Sequence, residues 1–157
     1  MRLHDPIIVA AALLCSACAS TPEATRERDT EAKEFEPVTR DAVIYVYRPG
    51  FTLGSPETTL WTDRRLVGSS LPGTFFRVIV FPGRSVIDTS PPDTGRIEVG
   101  TQGNDVTFVE MRTLGGPDGA PTSYFRVVSP EEAKAAIRAC CNRLEVWRYD
   151  QRRLFLF

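Results

Sequence analysis

The cysteines are the residues of this chain with the most evident capacity for chemistry. Cys140 and Cys141 are neighbours, and the Cα atoms of neighbours lie about 3.8 Å apart across a trans peptide, below the usual disulfide range of about 4.4 to 6.8 Å. A mutual bridge would need a distorted peptide and could not lie within a helix, so the sequence predicts no disulfide framework. Two interpretations remain open: a redox-active or intermolecular thiol, or two small apolar fillers on a helix, which we favour.

Cys18 stands in a different setting, after an apolar run and two small residues. The run, residues 7–14, is too short to span a bilayer, which needs about 20 residues, and it suits the hydrophobic region of an export leader. Small residues before a cysteine are typical of the bacterial lipoprotein signal, in which Cys18 would carry acyl chains and begin the mature chain. The alternative is an ordinary secretory signal cleaved after Ala17 or Ala19. Because Ala19 and Ser20 provide no acidic retention signal, we expect an outer-membrane anchor facing the periplasm.

His4 is the only histidine, and it lies within the predicted signal peptide, residues 1–17. The remaining chain therefore has no imidazole for Ser-His or Cys-His pairs, for a metal site or for a general base near neutral pH. We predict no catalytic residue, no metal ligand and no cofactor. An enzyme would have to use carboxylates alone, such as a glycan-cleaving pair about 5 to 9.5 Å apart. Glu131 and Glu132 are a poor candidate pair, since adjacent helical residues point in different directions.

Composition divides the rest of the chain into a tether and one domain. The formal net charge of −1 offers no basic face of the kind that nucleic-acid partners require. Residues 18–40 are charged in both signs and nearly free of large apolar side chains, so we predict a flexible polar tether with a reach of roughly 25 Å. A helix over residues 23–35 is an alternative, although no apolar stripe is present to dock it. Residues 41–157 are long enough for a single domain with its own core.

Short apolar runs separated by Gly, Pro and Asp follow from residue 41 onward. Residues 42–47 are β-branched or aromatic on both faces, which suits a strand covered on both sides. Asp63 and Arg64 are typical of a tight hairpin turn, and strand alternation should place Phe76 and Val78 on one face with Val80. The spacing predicts a mainly β fold, an antiparallel β-sandwich of seven to eight short strands. The predicted strands are residues 42–47, 58–62, 65–67, 74–81, 85–89, 96–99, 106–113 and 123–128.

One C-terminal α-helix is predicted over residues 130–143. Ser129 supplies an N-cap, Pro130 occupies the first helical position and Glu132 completes a capping box. Helical spacing of the apolar residues directs Cys140 inward and Cys141 toward the flank. The aromatic C-terminal tail that follows either adds a final strand to the sheet or contacts a partner or the membrane.

The candidate binding residues lie at the end of the first strand and in this tail. Arg48 could form a forked pair with an anionic ligand, although pairing within the domain is the interpretation that we favour. The tail combines aromatic residues with arginine, the composition enriched at interface hot spots. The candidates are Arg48, Trp147, Tyr149, Arg152 and Phe155.

Four segments in a particular order carry a resemblance to a known family. They are residues 42–49 (AVIYVYRP), 61–68 (WTDRRLVG), 73–76 (GTFF) and 81–83 (FPG). In this order they resemble the DUF2846 family of bacterial lipoproteins, over residues 41–128. The family name records no assigned function, so the resemblance implies an envelope-lipoprotein context and a β-sandwich, and it supplies no catalytic residues.

These observations together predict a membrane-anchored envelope lipoprotein acting as a non-enzymatic binding or assembly module. Its partners would be the lipid bilayer, through acylated Cys18, and an envelope protein or glycan. Two alternatives stay open: a carboxylate-only, glycan-active enzyme, and a secreted, non-lipidated β-sandwich binding protein.

Overall fold

The computed structural model describes residues 21–50, 56–115 and 120–147. Within them, two β-sheets face each other and two helices cover the outer face of the larger sheet. In chain order the elements are α1 (Arg26–Ala32), β1 (Ala42–Arg48), β2 (Thr58–Thr62), β3 (Arg65–Ser70), β4 (Thr74–Val80), β5 (Gly83–Thr89), β6 (Arg96–Thr101), β7 (Val106–Leu114), β8 (Thr122–Val128), α2 (Pro130–Cys140) and β9 (Asn142–Leu144).

The larger sheet has the order β8-β7-β1-β4-β9 and the smaller one the order β3-β2-β5-β6. The predicted mainly β sandwich is therefore confirmed, and the eight predicted strands correspond to β1 through β8. Two features differ from the prediction. A ninth strand, β9, joins the larger sheet, and two pairings, β1 with β7 and β4 with β9, are parallel rather than antiparallel.

The predicted hairpin between β2 and β3 turns at Asp63 and Arg64, which have φ values of 50° and 63°. Positive φ at both central residues is the geometry of a type I′ turn, whose twist matches that of the flanking strands. This turn sets the pairing of Thr62 with Arg65 and of Trp61 with Leu66, and a register shift between Leu60 and Trp61 then pairs Leu60 with Gly68.

The inner core lies between the two sheets, and its buried residues are aliphatic apart from Met111 and the ring of Phe76. Phe76, Val78 and Val80 share the inner face of β4, as strand alternation predicts. They pack with Ile44 of β1 and Leu60 of β2, and the whole cluster excludes water from the space between the sheets. The sandwich is held chiefly by this burial of apolar area.

A second core covers the outer face of the larger sheet and is mainly aromatic. Tyr45 stacks on Phe108 and Phe75 at ring-centroid distances of 5.3 and 5.9 Å. The two helices close over these rings through Ile137 of α2 and Ala32 of α1. Every residue of β1 is buried, so the prediction that this strand is covered on both sides is confirmed.

Residues 21–40 are part of the fold, which corrects the predicted flexible tether over residues 18–40. Thr25 caps α1, and Phe35, at 3% exposure, contacts the rings of Tyr45 and Phe108 edge-on. The Tyr45 hydroxyl donates to the Ala32 carbonyl at the end of α1 (2.7 Å). A short helix needs no long apolar stripe when a single aromatic side chain just beyond its end provides the docking area.

The first described residues also pair with β9. The Ala24 amide donates to the Arg143 carbonyl and the Glu145 amide donates to the Pro22 carbonyl, each at 2.9 Å. Glu23 and Leu144 form the antiparallel bridge between these two bonds. The two ends of the described chain therefore run side by side.

The end of α2 departs from the prediction in three ways. The helix ends at Cys140 rather than at residue 143, and Cys141 is already extended, with φ −125° and ψ 135°. Cys141 is buried at 3% exposure and Cys140 is half-buried, the reverse of the predicted orientation. The two cysteines form a mutual disulfide with a Cα–Cα distance of 3.7 Å. The sequence predicts no disulfide here because a bridge between neighbours could not lie within a helix. The bridge forms where the helix ends, so that restriction does not apply.

Candidate functional site

Arg48 lies at the end of β1 and is buried at 3% exposure. Its guanidinium donates to the Ser70 carbonyl (3.0 Å) and to the Pro56 carbonyl (2.9 Å). Burial lowers its pKa, and the negative charge of Asp93 acts in the opposite direction. The contacts given by the structure correspond to pairing within the domain, so Arg48 closes this end of the sandwich rather than presenting a fork to a ligand.

Asp93 is the buried carboxylate at the same end of the sandwich. One oxygen accepts from the Gly95 and Ser123 amides (3.0 and 2.9 Å), and the other accepts from the hydroxyls of Thr58 and Ser123. Burial alone would raise its pKa, but these hydrogen bonds outweigh burial and hold the pKa below the ordinary value. Asp93 thus joins β2, β8 and the β5–β6 loop.

Glu110 is the second buried carboxylate, on the outer face of β7. It accepts from the guanidinium groups of Arg112 and Arg126 and from the Tyr47 hydroxyl, the last at 3.3 Å. Burial alone would raise its pKa, and the two arginines more than offset that effect and lower it. Burial and the adjacent Glu110 charge raise the pKa of Tyr47 to about 12.

Neither carboxylate suits a general acid, which needs a raised pKa to remain protonated near neutral pH. The carboxylates of Glu98 and Asp105 line a separate open depression of about 410 Å³ with Arg84 and Gln102. Glu98 pairs with Arg84 at 2.9 Å and Asp105 accepts from the Gln102 amide. No aromatic side chain is among the described residues that line this depression. The carboxylate-only enzyme therefore gains no support from these acids.

A mixed aromatic, aliphatic and cationic surface lies beside Glu110, where the cover of the helices ends. Strand alternation along β7 places Arg112 and Leu114 on the outer face, and Tyr124 and Arg126 of β8 lie there too, opposite Arg112 and Glu110. Leu114 and Tyr124 are each 58% exposed, and the side chains of Arg112 and Arg126 are 68% and 51% exposed. We call these four residues, Arg112, Leu114, Tyr124 and Arg126, the β7/β8 surface.

The composition of the β7/β8 surface is that of interface hot spots, where tyrosine and arginine are enriched. It also adjoins the outer edge of β8, an end strand of the larger sheet. Sequence reasoning missed this surface because the runs around Leu114 and Tyr124 predict strands equally well whether the outer face is covered or open. The signal that could have found it is the alternation of Arg112 and Leu114 with buried neighbours.

The C-terminal candidates are placed only in part. Trp147 is half-buried, and its amide donates to the Val67 carbonyl of β3 at 2.7 Å. Tyr149, Arg152, Phe155 and the predicted lipidation site Cys18 lie outside the described residues. Arg48 and Trp147 both bond to β3, at the carbonyls of Ser70 and Val67 respectively.

The described residues contain neither a candidate metal cluster nor a membrane-spanning helix. No cluster of three or more His, Cys, Asp or Glu side chains in residues 21–50, 56–115 and 120–147 could hold a metal ion. Over the same residues, no helix has the length and apolar character needed to cross a membrane.

Comparison with known proteins shows a relative that is similar to most of the chain. A protein of Haemophilus influenzae (strain ATCC 51907 / DSM 11121 / KW20 / Rd), described as an uncharacterized protein, is 31% identical to the chain over 132 residues. The aligned residues cover 83% of this chain and 78% of the relative. This chain belongs to the family of that protein. The shared region is long enough to include most of the sandwich and its helices.

The other two comparisons found no match. No protein-family model matches the chain. No solved structure matches it.

Proposed function

We propose that this chain is a lipoprotein of the bacterial cell envelope, anchored through acyl chains on Cys18 and facing the periplasm from the outer membrane. Its folded domain acts as a non-enzymatic binding module for another envelope protein. The small residues before Cys18, the short apolar run and the resemblance of residues 41–128 to DUF2846 lipoproteins support the anchor.

The observation that supports the binding role is the β7/β8 surface. Exposed Tyr124 and Leu114 offer apolar area, and Arg112 and Arg126 are held in place by the buried carboxylate of Glu110. An arginine whose position is already fixed loses less conformational entropy on binding. Arg126 also pairs with the exposed carboxylate of Glu132 at 2.7 Å, so the charges of the two arginines are balanced by Glu110 and Glu132. The surface therefore suits a protein partner with an apolar centre and a polar rim.

The anchor is tested by mass spectrometry of the mature N-terminus. We expect a chain that begins at Cys18 and carries acyl mass, found in the outer-membrane fraction, and we expect Cys18→Ser to abolish the acylation. A mature chain with a free amine and no acyl mass would contradict the anchor and favour the secreted, non-lipidated alternative.

The binding role is tested by crosslinking in cells from a photoreactive amino acid at Tyr124. We expect one envelope protein to be captured, and we expect Leu114→Glu, a change at a residue that is 58% exposed, to reduce the adduct while the protein level stays unchanged. The matched control is the same photoreactive residue at Arg84, an exposed position on β5. Equal capture of the same proteins from both positions would contradict a specific β7/β8 surface.

A further inference from the structure

The disulfide between Cys140 and Cys141 lies where α2 ends and β9 begins. Cys141 is part of the buried core on the outer face of the larger sheet, at 3% exposure, and Cys140 packs against that core while remaining half-buried. Cys140 is therefore the residue of the pair that a second molecule can reach from solvent.

This bridge contributes little as a structural crosslink. A disulfide stabilises a fold mainly by constraining the unfolded chain, and the effect grows with the length of the loop that it closes. Cys140 and Cys141 are adjacent in sequence, so their bridge closes the shortest loop possible. Other bonds hold the junction: the Cys141 amide donates to the Ile137 carbonyl and the Asn142 amide donates to the Gly73 carbonyl, each at 3.0 Å.

The surroundings of Cys141 suit a thiol as well as a bridged sulfur. Its Sγ atom lies 3.8 Å from the carbonyl oxygen of Arg48, which also accepts from the Gly73 amide at 2.9 Å. A sulfur in a disulfide carries no hydrogen, whereas a thiol is a weak donor and a carbonyl oxygen has two lone pairs. The Arg48 carbonyl can therefore accept a hydrogen bond from Cys141 only after the bridge is reduced.

We propose that the Cys140–Cys141 pair is a redox-active site that accepts two electrons from a dithiol of another protein, and that its reduction loosens the junction between α2 and β9. Disulfides of this kind, with a sulfur open to attack, are typical of labile rather than structural bridges.

The exchange proceeds in two steps. One thiolate of the dithiol attacks Sγ of Cys140, the S–S bond breaks, and its electron pair stays on Sγ of Cys141, which takes up a proton. The second thiolate of the dithiol then attacks its own partner sulfur in the mixed disulfide, and Cys140 leaves and takes up the second proton. The dithiol becomes a disulfide and this chain becomes a dithiol, so two electrons and two protons have moved.

The loosening follows from the position of the pair between two hydrogen bonds. The Cys141 amide makes the last bond of α2, and the Asn142 amide bonds β9 to the Gly73 carbonyl. The bridge restricts the peptide between the two cysteines, and reduction removes that restriction. Because β9 has only three residues, few bonds keep it closed, and short, weakly held segments open most easily.

The first experiment incubates the full-length folded protein with reduced thioredoxin, used as a protein dithiol, and then alkylates it with N-ethylmaleimide. Trypsin cleaves after Arg138 and Arg143 and releases residues 139–143 (ACCNR), which contain both cysteines. The mass of this peptide counts the alkylated thiols, so Cys15 and Cys18 do not interfere. We expect two alkylated thiols, formed at a rate that does not follow the unfolded fraction as urea is added. Reduction that occurs only as the chain unfolds would overturn the redox site.

Two single substitutions test which sulfur is attacked. Cys141→Ser leaves only Cys140 at the junction, and its matched control, Cys140→Ser, leaves only Cys141. Since thiol reactivity follows access, we expect dithionitrobenzoate to modify Cys140 on the order of tenfold faster than Cys141, measured on the same tryptic peptide. Equal rates in two variants that both unfold cooperatively would overturn the assignment of Cys140 as the attacked residue. The experiment on the wild type does not depend on the folding of either variant.

Hydrogen exchange of the oxidised and reduced wild type, measured by NMR, tests the loosening. We expect the amides of Cys141 and Asn142 to exchange faster in the reduced chain. The Val43 amide, which donates to the Asp105 carbonyl at 2.9 Å, is the matched control and should exchange equally in both states. Unchanged protection of Cys141 and Asn142 after reduction would overturn the coupling to the α2–β9 junction. None of these measurements depends on the acylation of Cys18 or on the β7/β8 surface.

Discussion

Asp93 is the single side chain on which most of one end of the sandwich depends. Replacing it with Asn preserves the shape but puts an NH₂ group where the carboxylate accepts from two donors. Because hydrogen bonds to charged groups contribute about 1.5 to 3 kcal/mol each, we expect Asp93→Asn to lower the free energy of unfolding by about 3 kcal/mol. Urea denaturation measures this change. Asp88→Asn, which removes only a partly exposed ion pair at 3.7 Å, is the control and should change stability little.

The same residue predicts a pH dependence. The pKa of Asp93 is lowered in the folded state, so its stabilising effect is complete above its unfolded pKa and is lost as the pH falls through the folded value. We therefore expect the stability difference between the wild type and Asp93→Asn to shrink below about pH 4. A difference that stays constant from pH 7 to pH 3 would contradict the lowered pKa.

Gly68 allows the N-terminal segment to approach β3. Its φ is +150°, and a Cβ built there would lie 2.8 Å from the Thr21 hydroxyl oxygen and 3.1 Å from a ring carbon of Phe76. Since backbone strain and overpacking each cost about 1 to 3 kcal/mol, we expect Gly68→Ala to lower the midpoint of thermal unfolding. Gly100→Ala is the control, because no atom lies within 4 Å of a Cβ at that position. Equal midpoints of thermal unfolding for the two variants would argue against the close packing of Thr21 on β3.

At the scale of elements, α1 and Phe35 decide whether the N-terminal segment belongs to the domain. Phe35→Ala should lower the free energy of unfolding by about 3 to 5 kcal/mol, because a buried ring that contacts two other aromatic residues is lost. Phe81→Ala is the matched control, since the Phe81 side chain is 61% exposed and surface substitutions change stability by about 0.5 kcal/mol or less. Chemical denaturation compares the two. An unfolding curve of Phe35→Ala that matches the wild-type curve would mean that residues 21–40 are a tether.

The strands were predictable because their signals are local. Asp63 and Arg64 mark a turn, and Phe76, Val78 and Val80 alternate with residues of the opposite face. The helix α1 was not predictable in the same way, because its docking depends on Ala32 and on Phe35, which follows the helix with φ 59°. One aromatic residue outside the periodic segment leaves no amphipathic pattern to detect.

The end of α2 shows a second limit of local reasoning. The N-terminus of the helix was predictable from Ser129 and Pro130, whose capping roles depend on adjacent residues. Its C-terminus was not, because three residues of β9 are too short to show alternation and pair with β4 through Phe75 and its neighbours. The disulfide of Cys140 and Cys141 depends on that boundary, so it was excluded with the wrong helix end.

The candidate sites could not be predicted fully from the sequence, because the role of each residue depends on residues that are distant in the chain. From its position at the end of a strand, Arg48 could either bind an anionic ligand or pair within the domain. The hydrogen bonds from its guanidinium to the Ser70 and Pro56 carbonyls, which favour pairing within the domain, are visible only in the structure. To predict the β7/β8 surface, one must know how β7 pairs with β8 and how far α2 covers the sheet. Neither can be read from a single segment of the sequence.

For the whole molecule, the proposed acylation of Cys18 predicts that the β3 edge is nearest the membrane, because Thr21, three residues after Cys18, lies against β3. Arg65 of β3 and Glu98 of β6 are exposed residues on the two end strands of the smaller sheet, about 14 Å apart at about 4.8 Å per strand. With a fluorophore on Arg65→Cys or on Glu98→Cys in the acylated protein, lipid-borne quenchers should act more strongly on the first. The disulfide between Cys140 and Cys141 leaves the introduced thiol as the reactive one for labelling.

A flexible insertion of about 20 residues between Cys18 and Thr21 provides the control for this orientation. Such a linker has a reach of roughly 25 Å, so the quenching of the two labels should become more alike. Stronger quenching of the Glu98→Cys label in the parent protein would place the opposite edge of the sandwich against the membrane.

The pairing of the two chain ends also sets an order of folding. Arg143 donates through its amide to Asp29, a residue 114 positions earlier, and Thr21 lies against the strand to which Trp147 bonds. Contacts between such distant positions form late, because closing a long loop is costly in entropy. The segment next to Cys18 therefore completes its packing only after the last strand has been synthesised and is free to pair. If the chain is exported, as proposed, it reaches its final fold only once nearly its whole length has crossed the membrane.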